Sequence, residues 1–258
     1  MVNFEFLRKY QKLQYTIMFD RFTELDFAIV AFCDEDKSPF WNYTLTDHVL
    51  SEKELLKIEE IMVSSNRKSA VYFENKQELQ SLKELLETEG YKKEYEDSWM
   101  FWAGGELDSS RFSLVKKVTN SEELKLFLET FNNCYQKNDP QNVYGELGDY
   151  LKVSEKVWKK HSRRNRLEYF TIYKGDKPVA VSTLTNHDGI GYISNVGSLR
   201  EVRGEGFGKI ASLYPVSQSI KNGNLEHCLA TEEGTYPNEF YKRIGFETRF
   251  TAVCYVKQ

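Results

Sequence analysis

Apolar residues in the second half of the chain switch between helical spacing and strand spacing. Leu124, Phe127 and Phe131 recur at steps of three and four residues, which predicts a helix with one apolar face that starts at a Ser121 cap and ends near Tyr135. Short β-branched and aromatic runs between turn residues predict antiparallel strands at 167–173, 179–185 and 190–199. Further helices are predicted at about 145–161, 207–222 and 238–244, and further strands at 111–118, 225–231 and 250–257. The predicted class is therefore α+β, with a mixed, mostly antiparallel sheet flanked by helices.

The first half of the chain repeats the end of this order. Residues 69–73 predict a strand, residues 77–89 a leucine-faced helix, and residues 97–102 a second strand. In both halves a helix ends at a glycine followed by an aromatic residue, at Gly90-Tyr91 and at Gly245-Phe246. This echo favours duplication of one domain, although a single repeat of this kind also arises by chance.

A glycine-rich polar segment from Ala103 to Ser110 follows an apolar strand and marks a domain boundary. We expect a first domain at residues 1–105 and a second at residues 110–258. In the first half, the loop 47–52 between a predicted strand and a predicted helix has no glycine and carries two acids, so it is unsuited to bind a phosphate. The first domain is therefore expected to be a degenerate copy or an accessory domain.

Composition and charge exclude several classes of protein. The chain has 258 residues, of which 40% are hydrophobic and 29% charged, and this suits a globular protein with a real core. A net charge of −4 argues against a general nucleic-acid or anionic-membrane binder. No apolar run approaches the ~20 residues that span a bilayer. We expect a cytoplasmic protein with no membrane and no nucleic-acid partner.

Two local features leave alternatives open. The basic run 159–166 fits a solvated helix end, and it also fits a contact with a phosphate or an acidic substrate. The four cysteines are scattered and show no CxxC spacing, so buried reduced thiols are favoured over disulfides. No carboxylate pair or His/Cys constellation predicts a metal site or a covalent nucleophile.

The strongest chemical signal is the segment from Arg203 to Lys209. It lies between a predicted strand and a predicted helix, where glycines let the backbone approach an anion and the first-turn N–H groups face it. The side chains of Arg203 and Lys209 can add positive charge. The glycines at 204, 206 and 208 do not fit a dinucleotide fingerprint, and Gly208-Lys209-Ile210 does not fit a P-loop. A plain flexible turn is the alternative.

Two motifs together resemble a known family. Arg203-x-x-Gly206-x-Gly208 resembles the acyl-CoA pyrophosphate signature of the GNAT superfamily of N-acyltransferases. About thirty residues downstream, the segment 235–246, with its Asn, Tyr and Gly-Phe pair, resembles the late motif of that family. The resemblance covers about residues 111–258. It implies a GNAT fold, here as a tandem of a degenerate copy and an intact one.

The resemblance also implies roles for individual residues. The pyrophosphate of acetyl-CoA would be bound by Arg203, Gly204, Glu205, Gly206, Phe207, Gly208 and Lys209, mostly through backbone N–H groups. The pantetheine arm would pair with the main chain of Val196, Gly197 and Ser198, and Asn238 would contact the same arm. Tyr241 would protonate the leaving thiolate, or, in the simpler alternative, only pack its helix.

The implied reaction is direct transfer of the acetyl group of acetyl-CoA to a small-molecule or peptide amine. The sequence names no clear base. Glu232 and Glu233 follow a strand, and Ser194 and Asn195 could orient a water. His187 is expected to face solvent. Alternatives are a non-catalytic acyl-CoA-binding module and a transferase for a longer acyl donor. The acceptor pocket is expected within 127–161, a region that contains Tyr135, Asn142, Tyr144, Glu146 and Trp158. Oligomeric state does not follow from the sequence.

Overall fold

The computed structural model of the chain describes residues 3–105, 107–142, 145–161 and 166–258. They form two compact units. The first contains residues up to Trp99 together with Thr231–Glu233 and Thr248–Gln258, and the second contains Met100–Ala230 and Gly234–Glu247. A division into 1–105 and 110–258 places the C-terminal strand in the second unit. In the structure most of that strand belongs to the first unit, because it is hydrogen-bonded to a strand there.

The first unit is a sheet with helices on both faces. Its elements are α1 (Asn3–Gln14), β1 (Arg21–Leu25), β2 (Ala28–Phe32), β3 (Tyr43–Leu45), α2 (Glu52–Ser64), β4 (Ala70–Glu74), α3 (Gln80–Thr88) and β5 (Tyr91–Trp102), and it is completed by β11 (Phe246–Lys257). The strand order is β1-β2-β3-β4-β11-β5. β3 and β4 are parallel, and β11 runs antiparallel to β4 with Cys254 opposite Tyr72.

Alternation along β4 separates two different environments in this unit. Val71 and Phe73 point into an apolar core formed with leucines of α2 and α3. Tyr72 points to the other face, where its hydroxyl accepts a hydrogen bond from Trp99 Nε1. The Tyr10 ring of α1 covers that face, 4.7 Å from the Trp99 ring. One face is therefore mainly apolar, whereas the other mixes aromatic and polar groups.

The second unit is built around an antiparallel meander. Its elements are β6 (Val115–Lys117), α4 (Ser121–Cys134), α5 (Tyr150–His161), β7 (Leu167–Lys174), β8 (Lys177–His187), β9 (Ile190–Ser198), α6 (Phe207–Lys221), β10 (Glu226–Glu232) and α7 (Tyr236–Arg243). The strand order is β10-β9-β8-β7-β6, with β10 parallel to β9 and the other pairs antiparallel. Leu213 and Val216 of α6 pack on Phe170, Leu184 and Ile193 of the sheet.

The predicted class is confirmed, and several predicted bounds are corrected. The helix predicted at 145–161 begins at Tyr150, and the strand predicted at 111–118 is a 3₁₀ turn followed by the short β6. The cap of α4 is Asn120 and not Ser121, because the Asn120 side chain accepts hydrogen bonds from the N–H groups of Glu122 and Glu123. α1, β1 and β2 were not predicted. No helix among the described residues is long and apolar enough to cross a bilayer.

Candidate functional site

Strands β9 and β10 are paired over only part of their length. The parallel pairing joins Glu226 to Ile190 and ends where Cys228 lies opposite Tyr192. Beyond that point β10 pairs with no residue of β9, although β9 continues to Ser198. The edge of β9 from Ile193 to Ser198 is therefore open on the β10 side. An extended ligand can add there as another strand would.

A β-bulge deforms β9 within this open stretch. The register with β8 shifts between the pairs Val181–Gly197 and Thr183–Ser194, and Asn195 takes a φ of +54°. Its side chain is fixed at both ends, because Nδ2 donates to Thr183 Oγ1 at 3.1 Å and Oδ1 accepts from the Tyr150 hydroxyl at 3.0 Å. Such a bulge re-aims the backbone N–H groups next to it.

The C-terminal end of α4 packs directly against β9. A Cβ atom on Gly197 would lie 2.6 Å from Cys134 Cβ, so only glycine allows this approach. The Tyr135 hydroxyl donates a hydrogen bond of 2.9 Å to the carbonyl of Val196. Tyr135 was expected in the acceptor region, and the structure shows it holding β9 in place.

The glycine loop presents a row of N–H groups at the start of α6. Gly204 and Gly206 have φ of +81° and +85°, and Gly206 is the N-cap of the helix. The first helical bond runs from Ile210 N–H to the Gly206 carbonyl. In the described part of the chain no acceptor binds the N–H groups of Gly206, Phe207, Gly208 or Lys209. Unoccupied N–H groups at a helix start are the arrangement that an anion site requires.

Two of the predicted donors are engaged within the loop itself. The N–H groups of Arg203 and Glu205 donate to the carbonyls of Arg200 and Val202 at 3.3 and 3.2 Å. The Glu205 carboxylate forms an ion pair with Lys174 at 2.7 Å. Their main-chain groups shape the turn, and the cradle that faces outward begins at Gly206.

The side chain of Arg203 does not add free charge to the cradle. Its Nη1 and Nη2 atoms donate to Asp139 Oδ1 and Oδ2 at 2.7 and 2.5 Å. The pair lowers the pKa of Asp139, since hydrogen bonds from Arg203 stabilise the carboxylate. Lys209 is exposed. Of the predicted residues 203–209, it is the cation that can still add its charge to a bound anion.

Sequence reasoning missed Arg111, which lies against the same loop. Its Nη1 atom donates to the Glu205 carbonyl at 2.7 Å, and its guanidinium lies 4.7 Å over the Phe207 ring. A Cβ atom on Gly206 would lie 3.1 Å from Arg111 Nη1. Arg111 thus places a half-buried cation beside these N–H groups. No motif contains it, and it is 94 residues away from Glu205 along the chain.

Helix α7 brings Tyr241 and Asn238 into the same unit. Tyr241 belongs to the apolar cluster that includes Leu229, Phe246 and the partly buried Val196. Its neighbour Phe240 lies 3.5 Å from the position that a Gly208 Cβ atom would take, so α7 packs on the first turn of α6. Asn238 is fully buried, with Nδ2 donating to Met100 Sδ at 3.6 Å. Its side chain therefore lies in the core of the unit.

The remaining candidates lie in different places. Ser194 and Asn195 flank the bulge in β9, whereas Glu232 and Glu233 belong to the first unit, where Glu233 N–H donates to the Glu96 carbonyl. His187 is exposed at the end of β8, as expected. Trp158 is buried and Glu146 is exposed, while Tyr144 and residues 162–165 of the basic run lie outside the described residues. All four cysteines are buried outside disulfides.

Comparisons with known proteins identify the fold. No family model and no curated protein sequence matches the chain. A GCN5-related N-acetyltransferase from Kribbella flavida is 17% identical, with a TM-score of 0.66 over 96% of this chain and 94% of that one. One from Sphaerobacter thermophilus is 12% identical, with a TM-score of 0.63 over 98% and 84%. A tandem GNAT protein from the clavulanic acid biosynthesis pathway is 10% identical, with a TM-score of 0.52 over 89% and 77%.

Proposed function

Because the chain has the fold of the GCN5-related N-acetyltransferases, we propose that it transfers the acetyl group of acetyl-CoA to an amine. The observation that carries this proposal is the row of four N–H groups from Gly206 to Lys209, which have no acceptor among the described residues. The second unit, formed by Met100–Ala230 and Gly234–Glu247, would bind the donor. The first would be a degenerate copy, since its loop 47–52 contains no glycine.

In this proposal acetyl-CoA runs from the glycine loop, which binds its pyrophosphate, to strand β9, which binds its pantetheine arm. The pyrophosphate would accept hydrogen bonds from the N–H groups of the cradle, and Lys209 and Arg111 would supply positive charge. From there the pantetheine arm would follow the open edge of β9 at Val196, Gly197 and Ser198, through main-chain hydrogen bonds. Ser198 is suited to this path, because its Oγ lies 3.8 Å from the position of a Cβ on Gly208.

The chemistry requires two proton transfers and no covalent enzyme intermediate. The neutral amine attacks the thioester carbonyl carbon, and a backbone N–H of the bulged strand β9 stabilises the oxyanion. The C–S bond then breaks, and the Tyr241 hydroxyl gives its proton to the thiolate sulfur. The amine nitrogen loses its extra proton to a base or to water.

Two predicted donor-binding residues take supporting roles in this proposal. Arg203 holds the loop to Asp139 instead of binding phosphate with its side chain. Asn238, fully buried against Met100, supports α7 and thereby the position of Tyr241. Both residues would act through the elements that they fix.

Calorimetric titration of the full chain with acetyl-CoA tests the donor site. We compare wild type with Gly206→Glu, which adds a carboxylate inside the cradle. Gly223→Glu is the matched control, because Gly223 also has a positive φ (+78°) and lies at the opposite end of the same helix. We expect binding in wild type and control, and loss in Gly206→Glu. Absence of binding in the wild type, or equal binding in all three proteins, would refute the proposal.

A further inference from the structure

A buried carboxylate lies on β5 in the first unit without a cationic partner. Asp97 is 9% exposed, and its Oδ2 atom accepts a hydrogen bond of 2.8 Å from the Tyr72 hydroxyl. Within the described residues, no lysine, arginine or histidine forms an ion pair with Asp97, and its Oδ1 atom accepts no hydrogen bond. A buried charge of this kind is costly unless something compensates it.

The electrostatic surroundings of Asp97 are negative. Burial is the main cause that raises the pKa of Asp97 to about 7; the Tyr72 hydrogen bond lowers it, and the charges of Glu232 and Glu96 add to the rise. Glu232 belongs to the same unit as Asp97, because the short segment Thr231–Glu233 is part of the first unit. A site with this combination attracts cations, and strongly shifted carboxylates are concentrated at functional sites.

A second unsatisfied acceptor comes from α1. Gln11 is 2% exposed, and its Oε1 atom has no hydrogen-bond partner in the described structure. The Gln11 side chain lies at the Tyr43 hydroxyl, which is also coupled to the charge of Asp97. The Tyr43 ring lies 5.0 Å from the Tyr72 ring, so these groups share one face of the sheet.

Tyrosines complete the surroundings of the carboxylate. The half-buried Tyr95 has its ring 6.1 Å from that of Tyr72, and burial followed by acidic neighbours raises the pKa values of Tyr43, Tyr72 and Tyr95. The phenols therefore stay neutral. The Tyr72 oxygen already accepts from Trp99 Nε1, so Tyr43 and Tyr95 are the phenols that can supply an acceptor. The cluster combines one negative charge, several neutral acceptors and aromatic walls.

We propose that this cluster, formed by Asp97, Gln11, Tyr43, Tyr72 and Tyr95, binds a primary alkylammonium group. The Asp97 carboxylate supplies the countercharge. Asp97 Oδ1, Gln11 Oε1 and a tyrosine oxygen match the three N–H donors of R–NH₃⁺. The tyrosine rings contact the alkyl carbons and the cation.

The ligand proposed for this site belongs to the amines, the class that the proposed function requires as acceptor. The interpretation of the site as an acceptor site rests on that proposed function. An alkylamine with a pKa near ~10 is a cation at neutral pH. Ammonium binding itself, however, requires no acetyl donor. The Gly206→Glu variant separates the two proposals, because it should lose acetyl-CoA binding and keep ammonium binding.

The test titrates the full chain with n-propylammonium chloride at pH 8 and constant ionic strength. Binding is followed by calorimetry and by tryptophan fluorescence, to which Trp99, hydrogen-bonded to Tyr72, contributes. We expect a dissociation constant of about a millimolar, which lies below the ceiling of about −1.5 kcal/mol per non-hydrogen atom for a ligand this small. We expect saturable binding of n-propylammonium and none of 1-propanol. Tetramethylammonium, which has the charge but no N–H group, should bind about tenfold more weakly.

Variants assign the binding to the cluster. Asp97→Asn should weaken n-propylammonium at least about tenfold, and Gln11→Leu should weaken it about threefold. Asp34→Asn, at an exposed acid of the same unit, is the matched control and should bind like wild type. Gln11→Leu removes an unsatisfied buried amide and should fold normally even if Asp97→Asn does not.

The outcomes are distinct. No saturable n-propylammonium binding to wild type would overturn the proposal, and so would equal affinity in wild type and Gln11→Leu. Equal affinity for 1-propanol would show a merely apolar pocket and would also overturn it.

Discussion

Arg203 and Asp139 form a two-point ion pair between the glycine loop and the connection that follows α4. Nη1 and Nη2 of Arg203 donate to the two carboxylate oxygens of Asp139, and the Asp139 side chain is only 6% exposed. The same connection begins at Tyr135, whose hydroxyl holds the Val196 carbonyl. One segment thus fixes both the loop and the strand that we propose bind the donor.

Asp139→Asn should lower the free energy of unfolding and loosen the glycine loop. Removing one partner of a mostly buried pair costs about 1–3 kcal/mol after allowance for the exposed part of Arg203. The pKa of Asp139 is lowered in the folded chain, so its contribution is full above the unfolded pKa near ~4 and is lost as the pH falls through the lower folded pKa. Urea unfolding at pH 7 and at low pH measures both effects.

The matched control for this variant is Asp149→Asn, because the Asp149–Lys152 pair is almost fully exposed. It should change stability little at any pH. If Asp139→Asn is as stable as the control at pH 7, the ion pair does not hold the loop.

Tyr241→Phe should slow acetyl transfer without weakening acetyl-CoA binding. Loss of a general acid typically costs about 100-fold in turnover or more, whereas the ring of Tyr241 keeps its contacts with Phe240 and Phe246. Thiol release gives the turnover and calorimetry the affinity. Tyr214→Phe, on α6, is the control, since Tyr214 packs on Phe112 and Phe170. Turnover equal to that of the control would leave Tyr241 with a packing role only.

Gly197→Ala should destabilise the second unit. Its new Cβ atom would meet Cys134 Cβ at 2.6 Å and push the end of α4 away from β9, at a cost of about 1–3 kcal/mol. Gly175→Ala is the control, because its Cβ would meet nothing and only the positive φ (+60°) is strained. In chemical denaturation, Gly197→Ala should lose more free energy of unfolding than Gly175→Ala. A Gly197→Ala protein as stable as wild type would contradict the close contact.

Ammonium binding at the Asp97 cluster should depend on pH. The ionised carboxylate is required, and the pKa of Asp97 is raised to about 7, so affinity should fall about tenfold per pH unit below that value. Tyr43, Tyr72, Tyr95 and Cys254, which surround it, have raised pKa values and stay neutral in this range, and Glu96 and Glu232 are the nearby acids. A flat profile between about pH 5.5 and 8 would contradict the assignment of Asp97, because its pKa is raised to about 7.

The raised pKa of Asp97 also affects stability, and its pH dependence has the opposite sign to that of Asp139. The folded chain holds the Asp97 proton up to about pH 7, whereas the unfolded chain releases it near ~4. The free energy of unfolding should therefore fall as the pH rises between these values, and Asp97→Asn should remove that slope. Urea unfolding of both proteins across this range measures the difference.

The sequence predicted elements where periodicity is strong and failed where pairing decides. The leucine and phenylalanine spacing of α4 and the hairpin runs of β7 and β8 are visible directly. The last strand begins at Phe246 and not at 250, because polar residues such as Glu247 and Arg249 are held by the sheet in spite of their composition. β1 and β2 were missed altogether.

The candidate site shows the same division. The glycine loop and Tyr241 carry local motifs, so the sequence reveals them. Arg111 approaches Glu205 across 94 residues, and Asp139 meets Arg203 across 64, so neither contact has a local signal. The burial of Asn238 is likewise a tertiary fact, and it changes the role we propose for that residue.

The place of β11 has a consequence for how the chain is made. Val253 and Tyr255, near the C-terminus, pack in the same core as Val71 and Phe73, and their strand is hydrogen-bonded to β4. During synthesis the residues up to about 100 emerge long before this strand, so their sheet stays incomplete until residues 246–257 have been made. Until then the edge of β4 that later pairs with β11 stays unpaired, and we expect chaperones to bind the nascent first unit there.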